Sequence, residues 1–244
     1  MEETRRPVSE PARPPGPGAA AHGHPRRPEP LRAEPAAGVP ERVWYAAYGS
    51  NMQADRLACY LRGGRPPGAA RTYPGCRDGT PPARSVPVLL PGALYFALES
   101  AVWGGGVAFY DPAGTGELPA RAHLIGVGQF SDIAAQERHR SPGADLALDE
   151  AVRTGRQQLG RGPYGTLVCP GSLDGLPVLT LTAAWPPGRA PLNAPGAAYL
   201  RLVAAGLAEA HGWSPRRAAA YLAARPGAAG HWTTATLLRQ LAGA

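Results

Sequence analysis

The apolar positions divide the chain into two parts near residue 42. Residues 1–41 contain ten prolines and no aromatic residue, and aliphatic side chains are almost absent from them. A segment of this kind buries too little apolar surface to offset the entropy lost on ordering. We therefore predict a disordered N-terminal tail over residues 1–41 that makes no contact with the rest, followed by a single folded domain over residues 42–244.

Apolar and β-branched runs after the tail predict strands. The first run, VWYAAY at 43–48, has the aromatic and β-branched content of a buried strand. Two further runs, at 164–169 and 177–183, flank the sequence GSLDG, which predicts a hairpin. Other strands are predicted over 86–90, 93–98, 106–111 and 123–130.

Helical spacing is found between and after these runs. Leu57, Tyr60 and Leu61 follow an i, i+3, i+4 pattern within 53–61, and we expect Ser131 to be the N-cap of a short helix over 132–140. Further helices are predicted over 146–159, from about Tyr199 to Gly212, from Ser214-Pro215 to about 225, and after Thr233. This mixture predicts an α+β fold with a mostly antiparallel sheet or small barrel and a C-terminal helical extension over 213–244.

Composition narrows the class of protein. All 25 basic residues are arginine, and glycine and proline number 32 and 29, a usage typical of a high-GC bacterial genome. No run approaches the roughly 18 apolar residues that span a bilayer, and the N-terminus lacks the apolar core of a secretory signal. We therefore expect a cytoplasmic protein with no membrane partner.

The arrangement of the arginines, cysteines and histidines does not indicate a nucleic-acid partner or a metal site. The net charge is +7, but the arginines are scattered without interleaved aromatic side chains, so we expect no nucleic-acid partner. The cysteines form no C-x-x-C pair and the histidines no H-x-x-x-H pair. A zinc-dependent, deacetylase-type amide hydrolase is therefore the weaker alternative, and we expect no cofactor. The oligomeric state is left open.

The segment Tyr48-Gly49-Ser50-Asn51-Met52 joins the first predicted strand to the first predicted helix. A Gly-Ser turn at such a junction presents consecutive backbone N–H groups, which bind a carboxylate or a phosphate. The glycine allows close approach, and the serine and asparagine side chains add donors. The pattern predicts an anion site, with a plain connecting turn as the alternative.

Glu137 is the candidate acid–base residue. Helical phase places it with Ile133 and Ala134 on an apolar face of the predicted helix. A carboxyl group in apolar surroundings has a raised pKa and can act as a general base near neutral pH. The alternative is a structural ion pair with Arg138, Arg140 or another of the many arginines.

Four short blocks occur in an order that resembles a known superfamily. They are YAAYGSNM at 45–52, WGGGVA at 103–108, GVGQFSDIAAQE at 126–137 and NAPGAAY at 193–199. The first resembles the Tyr-Gly-Ser-Asn signature of the gamma-glutamylcyclotransferase-like superfamily, and the others are similar to its later blocks. The resemblance covers about 43–212 and is that of a divergent member of actinobacterial type.

The resemblance implies a small mixed β-barrel flanked by helices. It implies an enzyme that cyclises a γ-glutamyl amine or peptide, releasing 5-oxoproline and the free amine, with Glu137 as general acid and base. The substrate would be held by Tyr48, Gly49, Ser50, Asn51 and Met52, with Tyr164 and Tyr199 in the pocket wall. A non-catalytic domain that binds γ-glutamyl or other anionic small molecules is the alternative.

The chain departs from the family pattern after the glutamate. Arg138 stands where the family has glycine, and a long insertion over 138–163 separates Glu137 from Tyr164. We expect the insertion to cover the pocket, which bears on the identity of the substrate.

Overall fold

The computed structural model describes residues 24–30, 40–66, 69–185 and 187–242. The strands are β1 (Arg42–Ala47), β2 (Arg84–Pro91), β3 (Ala93–Ala97), β4 (Val107–Asp111), β5 (Glu117–Gly126), β6 (Arg156–Gln158), β7 (Thr166–Leu173) and β8 (Leu176–Thr182). The helices are α1 (Ala54–Arg62), α2 (Val127–Glu137), α3 (Asp149–Thr154), α4 (Ala197–His211), α5 (Pro215–Ala223) and α6 (Thr234–Ala242), with short 3₁₀ segments at Ser50–Met52 and Pro187–Arg189.

The strands form a six-stranded mixed sheet and a separate two-stranded ribbon. The sheet order is β2-β5-β1-β8-β7-β6, and the ribbon consists of β3 and β4. β1 is antiparallel to β5 and parallel to β8, while the other paired strands are antiparallel. The ribbon lies beside β8, where the Tyr110 amide donates to Thr182 Oγ1 at 3.1 Å. Helices flank the sheet, so the α+β class with a mixed sheet is confirmed.

The predicted strand at 43–48 is confirmed as the central strand β1. Every residue from Val43 to Ala47 is buried, and the Trp44 indole N–H donates to the Leu173 carbonyl at 2.9 Å. A strand that is covered on both faces is apolar at successive positions instead of alternating, and the sequence VWYAA has this pattern. Because the strand is buried, the Gly-Ser turn that follows it also lies in the interior.

The C-terminal helices and the hairpin also follow the prediction. β7 and β8 form the hairpin, α4 ends at Gly212 in the left-handed conformation, with φ of 64°, and the Ser214 side chain caps α5. α4 packs closely on the Ser50–Met52 turn. Glycine at 206 makes this possible, since a Cβ there would lie only 2.4 Å from that of Met52. Among the described helices, none combines the length and apolar character needed to cross a membrane.

The prediction of a strand over 123–130 followed by a helix over 132–140 with Ser131 as its N-cap is wrong at the junction. β5 stops at Gly126 and α2 begins at Val127. The Gln129 side chain accepts the Gly126 N–H at 3.0 Å, so the helix is capped five residues earlier than expected. Ser131 instead lies inside α2, where its hydroxyl donates to the Val127 carbonyl at 2.8 Å.

The prediction of a helix over 146–159 is wrong over its second half. α3 covers only Asp149–Thr154, and Gly155 follows in the left-handed conformation, with φ of 81°. Residues Arg156–Gln158 form β6 and pair with β7. Gly155 ends the helix because glycine readily adopts the left-handed conformation at a helix C-terminus. The residues after it then pair with the edge of β7.

Residues 24–30 lie against the sheet, so the prediction that the tail makes no contact is wrong for this segment. The backbone of Arg26 is hydrogen-bonded to β2 at 3.0 and 2.8 Å, and that of Glu29 to Ser172 of β7 at 2.7 and 2.8 Å. Composition does not reveal this contact, because it depends on backbone groups of the sheet instead of apolar side chains. The remainder of the predicted tail, 1–23 and 31–39, lies outside the described residues.

Candidate functional site

A cavity of about 200 Å³ lies where β1 ends and the Gly-Ser turn begins. This volume is smaller than the roughly 300–1,000 Å³ of pockets for drug-sized ligands, so it fits a small metabolite. Its walls come from the turn, α1, α2, the β3–β4 ribbon and the insertion after α2. The predicted site residues that line it are Tyr48, Gly49, Ser50, Asn51, Glu137, Tyr164 and Tyr199.

The turn presents backbone donors at the cavity wall. The N–H groups of Gly49, Ser50 and Asn51 donate to no main-chain carbonyl of the described residues, whereas Met52 N–H is bonded to the Gly49 carbonyl at 3.2 Å. The Ser50 N–H faces the hydroxyl of Tyr199. A Cβ on Gly49 would lie 3.0 Å from that hydroxyl oxygen. Glycine therefore allows the hydroxyl to approach the turn closely. The backbone conformation itself does not call for glycine, because its φ of −105° suits any residue.

Met52 does not take the place in the cavity that the resemblance implies. It is fully buried, and it packs beneath the turn against Gly206 of α4. Its carbonyl accepts a hydrogen bond from Arg121 at 3.0 Å. The side chain belongs to the core because the chain enters the 3₁₀ segment at Ser50, which turns successive side chains in different directions.

Glu137, the last residue of α2, reaches the turn. Its Oε1 accepts a hydrogen bond from Asn51 Nδ2 at 3.0 Å, although 86 residues separate the two in sequence. Ile133 and Ala134 are fully buried, as the helical phase predicts. The alternative ion pair with Arg138, Arg140 or another arginine is not formed within the described part of the chain, although the charges of Arg56 and Arg71 act on the carboxyl.

The surroundings of Glu137 favour its protonated form. Burial raises the pKa of the Glu137 carboxyl, and this effect exceeds the opposing attraction of Arg56 and the opposing hydrogen-bond donors Tyr60 and Asn51. A carboxyl group with a raised pKa exchanges protons more readily near neutral pH than an exposed one. The group can therefore both take up and return a proton.

Tyrosine side chains build the rest of the wall and are held by the backbone. Tyr48 donates to the Leu181 carbonyl at 2.6 Å, and Tyr164 donates to the Ala108 carbonyl at 2.9 Å. The Tyr199 hydroxyl accepts the Ala108 N–H at 3.2 Å, which leaves its own proton available to a ligand. These contacts fix the shape of the cavity.

Arg56 is a cavity residue that the sequence interpretation missed. It lies on the buried face of α1 with Leu57 and Tyr60, and its guanidinium group faces the cavity wall. Burial disfavours its charge, but Tyr60, Tyr73 and Glu137 more than compensate and raise the pKa of Arg56. The signal was present in the sequence, because Arg56 shares the apolar helical face of Leu57 and Tyr60.

The loops around the cavity contain unusual backbone conformations. Leu98, His139 and Tyr164 all have positive φ, at 62°, 56° and 53°, and all three line the cavity. Such conformations in residues other than glycine are uncommon and persist where the surrounding structure holds them. His139 and Pro163, near the two ends of the insertion over 138–163, line the cavity, whereas no residue from 140 to 162 does. That the insertion covers the pocket stays a prediction.

Within the described ranges, no group of three or more His, Cys, Asp or Glu side chains is placed to hold a metal ion. The polar groups of the cavity are the carboxyls of Glu99 and Glu137, two guanidinium groups, the imidazole of His139, amides, hydroxyls and phenols. The guanidinium groups and the backbone donors of the turn suit an organic anion.

No family model matches the chain. A curated relative, histone deacetylase 5 from Arabidopsis thaliana, is 34% identical over 201 residues, which are 74% of this chain. The chain spans about 30% of the length of that relative. One similar solved structure is a gamma-glutamyl cyclotransferase, at 16% identity and a TM-score of 0.45, covering 82% of this chain and 99% of the other. A second is an uncharacterized protein from Homo sapiens, at 17% identity and a TM-score of 0.40, covering 70% of this chain and 80% of the other.

Proposed function

We propose that the chain cyclises a γ-glutamyl amine or peptide, releasing 5-oxoproline and the free amine. The observation that carries the proposal is the contact between Glu137 and Asn51 at 3.0 Å, which joins a carboxyl of raised pKa to a turn with free backbone donors. An anion site beside an acid–base group is what this reaction needs, because the substrate provides its own nucleophile.

The turn anchors the substrate. In the proposed complex the α-carboxylate accepts hydrogen bonds from the free N–H groups of Gly49 and Asn51, and Tyr199 donates its hydroxyl proton to the same end of the substrate. Fixing this end limits the γ-glutamyl chain to conformers in which the α-nitrogen faces the γ-carbonyl carbon. Orientation of this kind supplies a large part of the rate enhancement of ring-forming reactions.

Glu137 moves the proton. Its carboxylate takes a proton from the α-ammonium group, and the freed amine attacks the γ-carbonyl carbon. The carbon–nitrogen bond to the leaving amine then breaks as Glu137 returns the proton to that nitrogen. The ring nitrogen gives up its second proton as the new amide forms, and this proton converts the released amine to its ammonium form. A new amide bond replaces the old one within the substrate, so no water and no cofactor enters the balance.

The test is the release of 5-oxoproline from a panel of γ-glutamyl amines and γ-glutamyl peptides, measured by liquid chromatography and mass spectrometry. Glu137→Gln preserves the size of the side chain and an acceptor for Asn51 but cannot accept a proton. We expect kcat to fall by about 10²–10⁴-fold and KM to change little, because the α-carboxylate binds elsewhere. Glu150→Gln, at an exposed residue of α3, is the matched control.

Three outcomes would contradict the proposal. Undiminished turnover in Glu137→Gln would remove the residue from the reaction. Binding of γ-glutamyl compounds without release of 5-oxoproline by the wild-type protein would favour a non-catalytic binding domain. Acetate release from acetyl-lysine peptides, tested in the same assay, would favour a deacetylase-type hydrolase.

A further inference from the structure

Two main-chain groups at the junction between the Gly-Ser turn and α1 have no main-chain partner. The Met52 carbonyl accepts from no main-chain N–H of the described residues. The Arg56 N–H, which would reach it in a continuous helix, donates instead to the Gln53 side chain at 2.7 Å. The Ala54 N–H, at the start of α1, likewise donates to no main-chain carbonyl in the described ranges. Helix ends leave such groups to be satisfied from outside the helix.

One ion pair from remote parts of the chain satisfies both groups. Arg121 of β5 donates through one terminal nitrogen to the Met52 carbonyl at 3.0 Å and to Glu209 of α4 at 2.8 Å. The same Glu209 oxygen accepts the Ala54 N–H at 2.9 Å. Hydrogen bonds that involve a charged group are stronger than neutral ones. The main chain on both sides of Gln53 is therefore fixed by side chains that lie outside the turn and outside α1.

The fold places the two charged residues directly behind the turn. Arg121 lies opposite Ala47, the last residue of β1, in the register of the sheet. Gly206, three residues before Glu209 on α4, packs against Met52. The side chains of the pair are only 19% and 35% exposed, so solvent screens them less than it screens a pair at the open surface. The position of the pair is thus set by the central strand and by the helix that packs on the turn.

We propose that Arg121 and Glu209 are positioning residues for the anion-binding turn. Neither residue lines the cavity, so both act through the main chain. By fixing the Met52 carbonyl and the Ala54 N–H, the pair keeps the N–H groups of residues 49–51 oriented towards the α-carboxylate. Donors that are oriented in advance bind an anion more tightly, because less order has to be created on binding. The proposal rests on the binding of the α-carboxylate at the turn, which is part of the proposed function.

The charge of Glu209 distinguishes positioning from direct electrostatics. A negative charge near the turn repels an anion, so its removal in Glu209→Ala would strengthen anion binding if charge alone acted. If the pair positions the turn, Glu209→Ala weakens anion binding, because Arg121 and the Ala54 N–H lose their shared acceptor. Glu209→Gln also removes the charge but keeps an oxygen that can accept both hydrogen bonds. The two explanations therefore predict opposite signs for Glu209→Ala.

The test measures equilibrium binding by calorimetry in the Glu137→Gln protein, which holds a substrate without converting it. The ligands are γ-glutamylethylamine and 4-amino-N-ethylbutanamide, which is the same molecule without its α-carboxylate. The ratio of their dissociation constants reports recognition of the carboxylate alone. We expect Glu209→Ala and Arg121→Met each to lower this ratio about 10-fold, and the double variant to lower it no further, because the two side chains act as one unit. Glu209→Gln should retain most of the ratio.

Asp174→Asn is the matched control, because Asp174 also pairs with arginine and is 38% exposed, but lies in the β7–β8 hairpin. It should leave the ratio unchanged. If Arg121→Met does not fold, the two Glu209 variants still decide the matter.

Three outcomes would overturn the proposal, and none depends on turnover. They are tighter binding of γ-glutamylethylamine by Glu209→Ala, an equal loss of affinity for both ligands, and the absence of any carboxylate preference in the parent protein. A preserved carboxylate preference that the variants lower as expected, without release of 5-oxoproline by the wild-type protein, would refute the proposed function and leave the positioning role standing.

Discussion

At the scale of single residues, the raised pKa of Glu137 suits the carboxyl to proton transfer but makes its ionisation destabilising for the fold. Burial raises its pKa in the folded chain even though Arg56, Tyr60 and Asn51 act in the opposite direction. A carboxyl whose pKa is higher in the folded than in the unfolded state binds its proton more tightly when folded. Ionisation of Glu137 therefore destabilises the fold. The penalty is absent below the unfolded pKa of about 4.3 and is complete above the folded pKa.

We predict that Glu137→Gln raises the melting temperature at about pH 8, because the neutral amide avoids a penalty that grows as the pH rises above the unfolded pKa of the carboxyl. The gain should be about 2–4 °C for each kcal/mol of relief. It should disappear below about pH 4, where both proteins carry a neutral group. Calorimetric melting curves across this pH range provide the measurement, and Glu150→Gln is the control. A lower melting temperature for Glu137→Gln at pH 8 would show that the carboxylate is stabilised in the fold.

At the scale of elements, α2 connects the site to two long loops. Asp132, inside this helix, accepts hydrogen bonds from the backbone and side chain of Arg77 at 2.8 and 3.0 Å. It also accepts the Gly143 N–H at 3.1 Å. The carboxylate thus ties both the loop before β2 and the insertion after α2 to the helix that carries Glu137. The insertion is positioned by this contact as well as by its own short helix.

We predict that Asp132→Ala lowers the free energy of unfolding by about 2–3 kcal/mol, because three N–H groups lose a charged acceptor. Asp145→Ala is the matched control, since both carboxylates pair with Arg77 but the Asp132 side chain is 1% exposed and that of Asp145 is 60% exposed. Exposed ion pairs contribute little, so Asp145→Ala should leave stability nearly unchanged. Urea denaturation measures both, and equal effects would contradict the role given to Asp132.

At the scale of the whole molecule, residues 24–30 connect strands that are distant in the sheet. β2 is an edge strand and β7 lies next to the opposite edge, yet Arg26 is bonded to the first and Glu29 to the second. β7 is irregular between Val168 and Gly171. A Cβ on Gly171 would lie 2.2 Å from the Glu29 carbonyl oxygen. This glycine therefore permits the close approach of the segment.

We predict that deletion of residues 1–30 and the substitution Gly171→Ala each lower the free energy of unfolding, and that their effects are not additive. Gly171 has φ of 152°, so the alanine strains the backbone in both backgrounds, but it clashes with Glu29 only in the full chain. A double-mutant cycle measured by urea denaturation should give a coupling of about 0.5–3 kcal/mol. Strict additivity would indicate that the segment contributes nothing at this position.

Local patterns in the sequence determined the elements that are continuous along the chain. The aromatic run of β1, the Gly-Ser turn after it, the hairpin and the C-terminal helices follow from periodicity and from turn residues. The phase of Glu137 on an apolar helical face also follows from sequence, because four residues of helix fix the direction of a side chain. These features depend on neighbours within about one or two helical turns.

Only the tertiary structure decided which of these groups meet. Glu137 contacts Asn51 across 86 residues. Arg56 donates a hydrogen bond to Tyr73, which comes from the segment between α1 and β2. Three other features likewise depend on partners from remote parts of the chain. They are the early start of α2, the formation of β6 and the contact of residues 24–30 with the sheet. Periodicity reports whether a residue faces the interior but not what it faces there, because the partners are set by how the sheet and helices pack.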